Sequence, residues 1–407
     1  MNRKKYLIKL FPLDNFFFGG EHTFGEGQKA NYFAKSNLYP QQSALLGMLR
    51  YQILKKMNLL GPGADQAQVK AYIGPESLKL YNGGRLQCDR PDFLFGRIKA
   101  LSPLFLLDTK PEKEEIYFPM PLDYGYQTPF PPTESMRLCL NGKKLDITAV
   151  PVSERYVAGK TPVTGSSCST SSSGPDAVGL RAFDHKTYCN YDCWLGSGIG
   201  RPVKKTGEIW LPSTQIGITK RGDNESDEDN FYKQTVFKLH AGFCFAFYTI
   251  FEEEAGEQLL DQESFVFLGG QRSVFLMKTA EITGSAIGCV EPEICVTREL
   301  LDAYPPVSGE KIVLAGDAYV ENMPELMQLC RFAWSDSVVF RNIETSVNKN
   351  KNYYAKPAKS SKYVFLKRGS VLYLQAGKIE EAVRLLDNKY LQLAGYNIYI
   401  KSNESSN

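Results

Sequence analysis

The sequence predicts an α+β protein with two domains, and three observations predict it. A strand-like run, Tyr6-Leu7-Ile8-Lys9-Leu10, leads through a turn into a helical pattern and then into more strands, the order of an α+β layer architecture. From Phe93 to Phe130, runs rich in Tyr, Phe, Val and Ile alternate with Pro and Gly turns. A length of 407 residues, 43% of them hydrophobic, is ample for two buried cores.

The helix is predicted over Pro40 to Met57. Leu45, Leu49, Ile53 and Met57 recur every fourth residue, Leu46 and Leu54 widen the stripe, and Ser43 stands near the start. Gly47 costs such a helix about 1 kcal/mol relative to alanine, which close packing against a sheet would explain. Val163 to Gly179, with the cluster Ser171-Ser172-Ser173-Gly174, reads as a flexible loop or insertion, and the acidic Asp223 to Asp229 reads as a solvated one. One strand is predicted over Thr235 to Ile250, with a domain boundary just after it at Glu252 to Gly256. Strands follow at Val274 to Lys278 and Ile312 to Leu314, then a helix over Pro324 to Phe332, strands around Val338 and Tyr373, and an amphipathic helix over Lys378 to Leu386. The domains are thus expected over 1–255, with an insertion around 136–230, and over 256–407. No internal repeat is visible.

Bulk composition excludes some classes. The most apolar run, Ala241 to Phe251, is too short to cross a bilayer and reads as a buried strand. Arg3-Lys4-Lys5 leads into a run broken by Lys9, Pro12 and Asp14, unlike a secretory signal, so a cytoplasmic protein is expected. Nine cysteines without a regular framework suit a reducing compartment. A net charge of +3 is too small to identify a nucleic-acid binder, so charge distribution has to carry that argument.

That distribution is uneven. No Asp or Glu occurs from Thr345 to Ile379, where Lys349, Lys351, Lys356, Lys359, Lys362, Lys367, Arg368 and Lys378 are interleaved with Tyr353, Tyr354, Tyr363 and Phe365. Lysines neutralise phosphates and aromatic faces stack on unpaired bases, so the segment suits single-stranded RNA; a solvated loop between strands would have the same composition. Gly19, Gly20, Gly25 and Gly27 leave backbone amides unobstructed around His22, beside the basic Arg3, Lys4, Lys5 and Lys9 and ahead of Arg50 and Lys55-Lys56. This loop is either a phosphate cradle or a device for turn geometry. It lacks the Gly-Lys-Ser/Thr run of a nucleotide-hydrolysing loop and the glycine spacing of a dinucleotide fold. Gly269 and Gly270 form a similar loop, with Arg272 placed to touch a phosphate.

Metal and catalytic readings are weaker. His185, Cys189 and Cys193 share one helical face, with Cys168 upstream, but no Cys-x-x-Cys knuckle accompanies them, so no metal and no cofactor is expected. Only His22, His185 and His240 are near-neutral bases, and none has a nucleophile or paired carboxylate at a motif spacing. The chain is therefore expected not to be an enzyme.

Phe11-Pro12-Leu13-Asp14 and Phe16-Phe17-Phe18-Gly19-Gly20, then Pro40, Ser43 and Gly47-Met48-Leu49-Arg50, resemble the N-terminal signature of the RAMP superfamily of CRISPR proteins, in particular the third subunit of the type III-B (Cmr) effector complex. Charged residues usual after the phenylalanines are here Gly19-Gly20-Glu21. Further similar pieces follow in the family's order: Phe118 to Asp123, Ile199-Gly200, Thr235 to Leu239, Leu268 to Arg272, Lys311 to Ala318, Lys367 to Tyr373 and Gly395-Tyr396-Asn397.

The resemblance implies two ferredoxin-like (RRM-like) domains and a non-catalytic subunit that holds the repeat-derived 5′ tag of CRISPR RNA. It also implies packing against a large polymerase/cyclase-like subunit, with backbone RAMP subunits as further partners, target RNA met only indirectly and no membrane. The RNA-binding residues then expected are Gly19, Gly20, His22, Gly25, Gly27, Arg50, Gly269, Gly270, Arg272, Lys356, Lys359, Lys362, Lys367 and Arg368. Two competing expectations are a RAMP endoribonuclease that matures precursor RNA, with His22 as the residue to test, and a scaffold subunit that assembles without RNA.

Overall fold

The computed structural model describes residues 2–19, 22–23, 32–74, 95–112, 114–124, 135–140, 143–148, 193–198, 200–218, 231–269, 272–282, 310–340 and 363–401. The elements begin with β1 (Asn2–Pro12), β2 (His22–Thr23), β3 (Tyr32–Lys35), α1 (Gln42–Lys56), α2 (Gln66–Ile73), β4 (Ile98–Leu101), β5 (Phe105–Asp108) and β6 (Glu115–Pro119). Next come β7 (Ser135–Leu140), β8 (Lys143–Thr148), β9 (Cys193–Gly196), β10 (Val203–Lys205), α3 (Thr206–Ile209), β11 (Trp210–Ile218), β12 (Phe231–Leu239) and β13 (Phe243–Glu253). They continue with β14 (Glu263–Leu268), β15 (Ser273–Glu281), β16 (Lys311–Leu314), α4 (Met323–Leu329), β17 (Cys330–Trp334) and β18 (Ser337–Phe340). The last are β19 (Tyr363–Leu366), β20 (Val371–Leu374), α5 (Ile379–Leu386), α6 (Lys389–Leu393) and β21 (Tyr399–Lys401). The fold is mixed α and β with mostly antiparallel sheets, and no described helix is long and apolar enough to cross a membrane.

The chain divides into two compact units, the first drawn from 1–75, 92–117 and 204–285 and the second from 76–91, 118–203 and 286–407. In the first, β1 is central, antiparallel to β13 on one side and β15 on the other. Tyr6, Ile8 and Leu10 alternate into the core opposite Thr249, Phe247 and Phe245, as a period of two requires. β13 is apolar on both faces and almost wholly buried, and its far edge pairs with β4 and β5. β14 and β15 follow residue 255 in sequence and still complete this sheet.

Helix α1 packs through Leu45, Leu46, Leu49 and Ile53, as its four-residue spacing predicts. Two details differ. Gln41 occupies the N-cap without a capping side-chain bond, and Ser43 lies inside the first turn, its Oγ donating to Gln41 Oε1 (3.4 Å). Gly47 is exposed, with open space where a Cβ would stand, so close packing does not account for it.

The strand expected over Thr235 to Ile250 is two strands in two sheets. β12 pairs with β11 and, in parallel, with β3, whereas β13 joins β1. Gly242, at φ +94°, turns the chain between them, a conformation that only glycine adopts without strain. Apolar composition continues across the turn, which is why the break is hidden in the sequence.

In the second unit a sheet in the order β17-β20-β16-β21 is antiparallel throughout. Helix α4 connects β16 to β17, and α5 and α6 connect β20 to β21. Ile312, Leu314, Leu326, Leu372, Leu374, Ala382 and Leu386 form their common core. The helix expected over Pro324 to Phe332 stops at Leu329, because Cys330 to Trp334 pair with β20 as strand. β18 and β19 form a hairpin of their own, bound to Ala318 by a bridge at Leu366. The turn at 119–123 is fixed to this unit by Leu122 N donating to Gly369 O (3.0 Å) and by Lys311 Nζ donating to Asp123 Oδ2 (2.7 Å). Asp123 Oδ2 also accepts from the Tyr373 hydroxyl.

Replacing Gly47 by alanine should stabilise the protein by about 0.5–1 kcal/mol, because the helix gains and nothing is displaced; a urea midpoint that falls would show hidden packing at this site. Burial and the adjacent Asp123 raise the Tyr373 hydroxyl far above the ordinary tyrosine value. A raised folded value means that this contribution is complete below about pH 10 and is lost as pH rises further. Urea midpoints measured from neutrality to about pH 11 should therefore fall less steeply for Tyr373→Phe than for the unaltered chain.

Candidate nucleic-acid interface

Three consecutive phenylalanines carry the chain from β1 toward its glycine-rich segment. Phe16 exchanges backbone hydrogen bonds with Phe237, 2.7 and 3.1 Å long. Its ring and that of Phe18 enter one aromatic cluster with Phe245 and Phe275, while Phe17 turns the other way onto Ala34 and Val236. Extended backbone sends alternate side chains to opposite sides, so a triple phenylalanine anchors the strap in two places.

Two serines complete that anchoring. Ser36 Oγ accepts from Phe18 N at 2.9 Å, and Ser273 Oγ accepts from Phe17 N at 3.3 Å. Gly19 follows at φ +66° and its carbonyl accepts from Asn37 N at 2.8 Å. Across the strap, Gly269 sits at φ +83°, where a Cβ would overlap the Phe17 carbonyl oxygen. Arg272 N donates to Gly269 O, closing the turn with Arg272 itself at φ +52°. Gly19 and Gly269, read in separate loops of the sequence, therefore both lie at the phenylalanine strap. The serines gave no sequence signal, because their partners lie 18 and 256 residues away.

Arg272 is exposed and has no ion-pair partner among the described residues. Two lysines of β1 differ. Lys4 is paired with Glu253 (3.2 Å) and Glu281, and Lys9 with Glu114 (2.5 Å), so their charge is answered within the protein. His22 lies in β2 opposite Ala34. Arg50 is half-buried with its guanidinium 5.5 Å from the Phe95 ring, and burial lowers its pKa to about 10.

The other predicted residues are spread further. Lys367 pairs with Asp336 at 3.2 Å. Arg368 is buried: its Nη2 donates to Asp317 Oδ2 (2.8 Å), and its Nε and backbone N donate to Asp317 Oδ1 (3.2 and 2.9 Å). Its guanidinium is committed to that carboxylate inside the second unit. Gly20, Gly25, Gly27, Gly270, Lys356, Lys359 and Lys362 lie outside the described residues, as do Cys168, His185 and Cys189. Cys193 is a half-buried thiol in β9, and no group of metal-ligating side chains occurs among the described residues.

A family model described as CRISPR-associated protein (Cas_Cmr3) matches residues 8–397. Two solved structures of the type III-B Cmr-beta complex contain a similar chain, one bound to cognate target RNA and one bound to cognate target RNA and AMPPnP. Each is 12% identical, with 98% of this chain and 96% of the other covered at a TM-score of 0.45, too distant a likeness to bear on function. No curated protein matches the sequence significantly.

Alanine at Gly269 and alanine at Gly19 should differ in effect. Both positions have positive φ, a strain of about 1–2 kcal/mol for a side chain, but only Gly269 also meets backbone, whereas Gly19 faces open space. Urea denaturation should show Gly269→Ala to be the more destabilising; equal effects would mean that the strap yields freely at Phe17.

Proposed function

We propose, from the premise that the chain belongs to the CRISPR-associated Cmr3 family, that it is a non-catalytic RNA-binding subunit of a type III-B (Cmr) effector complex. It holds the repeat-derived 5′ tag of CRISPR RNA and packs against the large polymerase/cyclase-like subunit and the backbone RAMP subunits. The observation that carries this reading is the meeting of Gly19, Gly269 and Arg272 at the phenylalanine strap. Positive-φ turns bring backbone amides to the surface unobstructed, and an exposed arginine beside them supplies the charge and fork geometry that phosphate takes.

Both units are read as ferredoxin-like. Setting aside inserted strands, the first sheet runs β15-β1-β13-β5 and the second β21-β16-β20-β17, in each case fourth, first, third, second. The second unit has helices in both crossovers, whereas in the first only the β1-to-β5 crossover carries helices and β13 reaches β15 through β14; this sheet order is that of a recurrent RNA-binding scaffold. Backbone amides and an arginine meet phosphates, which carry no sequence information, so this contact is indifferent to the guide that follows the tag.

Sequencing the small RNAs that co-purify with the tagged protein from its native host should return molecules with one constant 5′ stretch and variable sequence after it. No enriched RNA, or RNA with random ends, would leave a scaffold instead. With purified complex, Arg272→Ala should weaken retention of the constant segment and lower the salt slope by about 0.7, the share of one phosphate on a single strand; an unchanged slope removes Arg272 from the interface.

A further inference from the structure

The four-stranded sheet β11-β12-β3-β2 presents a face that the reading above does not use. Ala34, Gln234 and Val236 point inward, with Ala34 and Val236 packed on Phe17. By the alternation of strand residues, Phe33, Lys35, Lys233 and Thr235 occupy the opposite face. The parallel register places Lys233 beside Phe33 and Lys35 beside Thr235, and Ile216 of β11, 72% exposed, stands across from Lys233. Lys35 and Lys233 are exposed, and neither has an ion-pair partner among the described residues. They are diagonal neighbours, about 7–8 Å apart at the backbone. Lys35 also adjoins Ser36, which holds Phe18 beside Gly19.

We infer that this face binds unpaired RNA, with Lys35 and Lys233 each neutralising a phosphate and Phe33 and Ile216 offering apolar contact to the bases between them. The inference rests on the RNA-binding role proposed above and extends the site from the glycine turns along the sheet. Unanswered cations beside an aromatic side chain are what a single strand requires. The face formed by β14 and β15 in the same unit makes the contrast. It exposes Phe265 and Phe267, but Lys278 there is paired with Glu263 at 2.7 Å and Lys9 of β1 with Glu114, leaving an apolar, neutralised surface that attracts no polyanion. Composition does not reveal Lys35 and Lys233, because they lie 198 residues apart in sequence and meet only through the β3–β12 pairing.

The test measures binding of a fluorescein-labelled unpaired oligoribonucleotide to the full-length chain over a salt series. Lys35→Ala/Lys233→Ala should weaken binding about tenfold and lower the salt slope by about 1.4, two phosphates at about 0.7 each. Lys35→Arg/Lys233→Arg should bind as the unaltered chain does. Lys238→Ala removes one such charge from an exposed lysine on the opposite face of β12 and should change little. If Lys238→Ala lowers the salt slope by half as much as the double variant, bulk charge is responsible and the face is not a site. If the double alanine variant binds RNA normally, the inference fails and the two lysines serve a partner other than RNA. If the unaltered chain itself binds no RNA, the proposed function fails first.

Discussion

The first unit depends on the burial of three consecutive phenylalanines on alternating sides of an extended strap. Burying a phenylalanine fully is worth about 1.5–3 kcal/mol, so three together are large against the stability of a domain. The energy is spent in two directions, since Phe16 and Phe18 fill the core under β1 and β13 while Phe17 seats the small sheet of β3 and β12. Both sheets are therefore held to one piece of backbone. Its carbonyl at Phe17 leaves no room for a side chain at Gly269, and the surface turns inherit their positions from this core.

The second unit is pinned differently, by polar groups taken out of water. Asp317 accepts three hydrogen bonds from Arg368, and Asn397, at φ +52° and fully buried, exchanges bonds with Tyr319 and donates to Leu386 O. A buried ion pair adds little net stability, because desolvation offsets attraction, but an arrangement that leaves either charge alone costs several kcal/mol. The network thus selects one arrangement of β16, the 367–370 turn and the chain before β21. Beside it, Phe340, Phe365 and Tyr396 supply the apolar area that makes this arrangement stable.

What the sequence reveals follows the range of the interactions. Helices α1 and α5 are legible from their period, because adjacent turns report one buried face. The glycine loops are legible as turns, but their meeting is not, since Gly19 and Gly269 converge only once β1 lies beside β15. Composition marks Arg368 as part of a basic segment and says nothing of Asp317, 51 residues earlier, which claims it. Gly47 is the reverse case, a glycine whose neighbours suggest packing and whose Cβ position is empty. Local chemistry shows which residues can do something, and long-range pairing decides which of them are left to do it.

The central place of β1 also has a consequence in time. Its pairing partners are residues 245–253 and 275–281, so β1 leaves the ribosome long before the strands that flank it. At about 5–20 residues per second, β1 waits roughly ten seconds to a minute before β13 and β15 exist to receive it. Until then the apolar edge of Tyr6, Ile8 and Leu10 and the phenylalanines after it are exposed together, and contacts of such long range close slowly. During synthesis, this topology leaves an apolar strand unpaired for that whole interval.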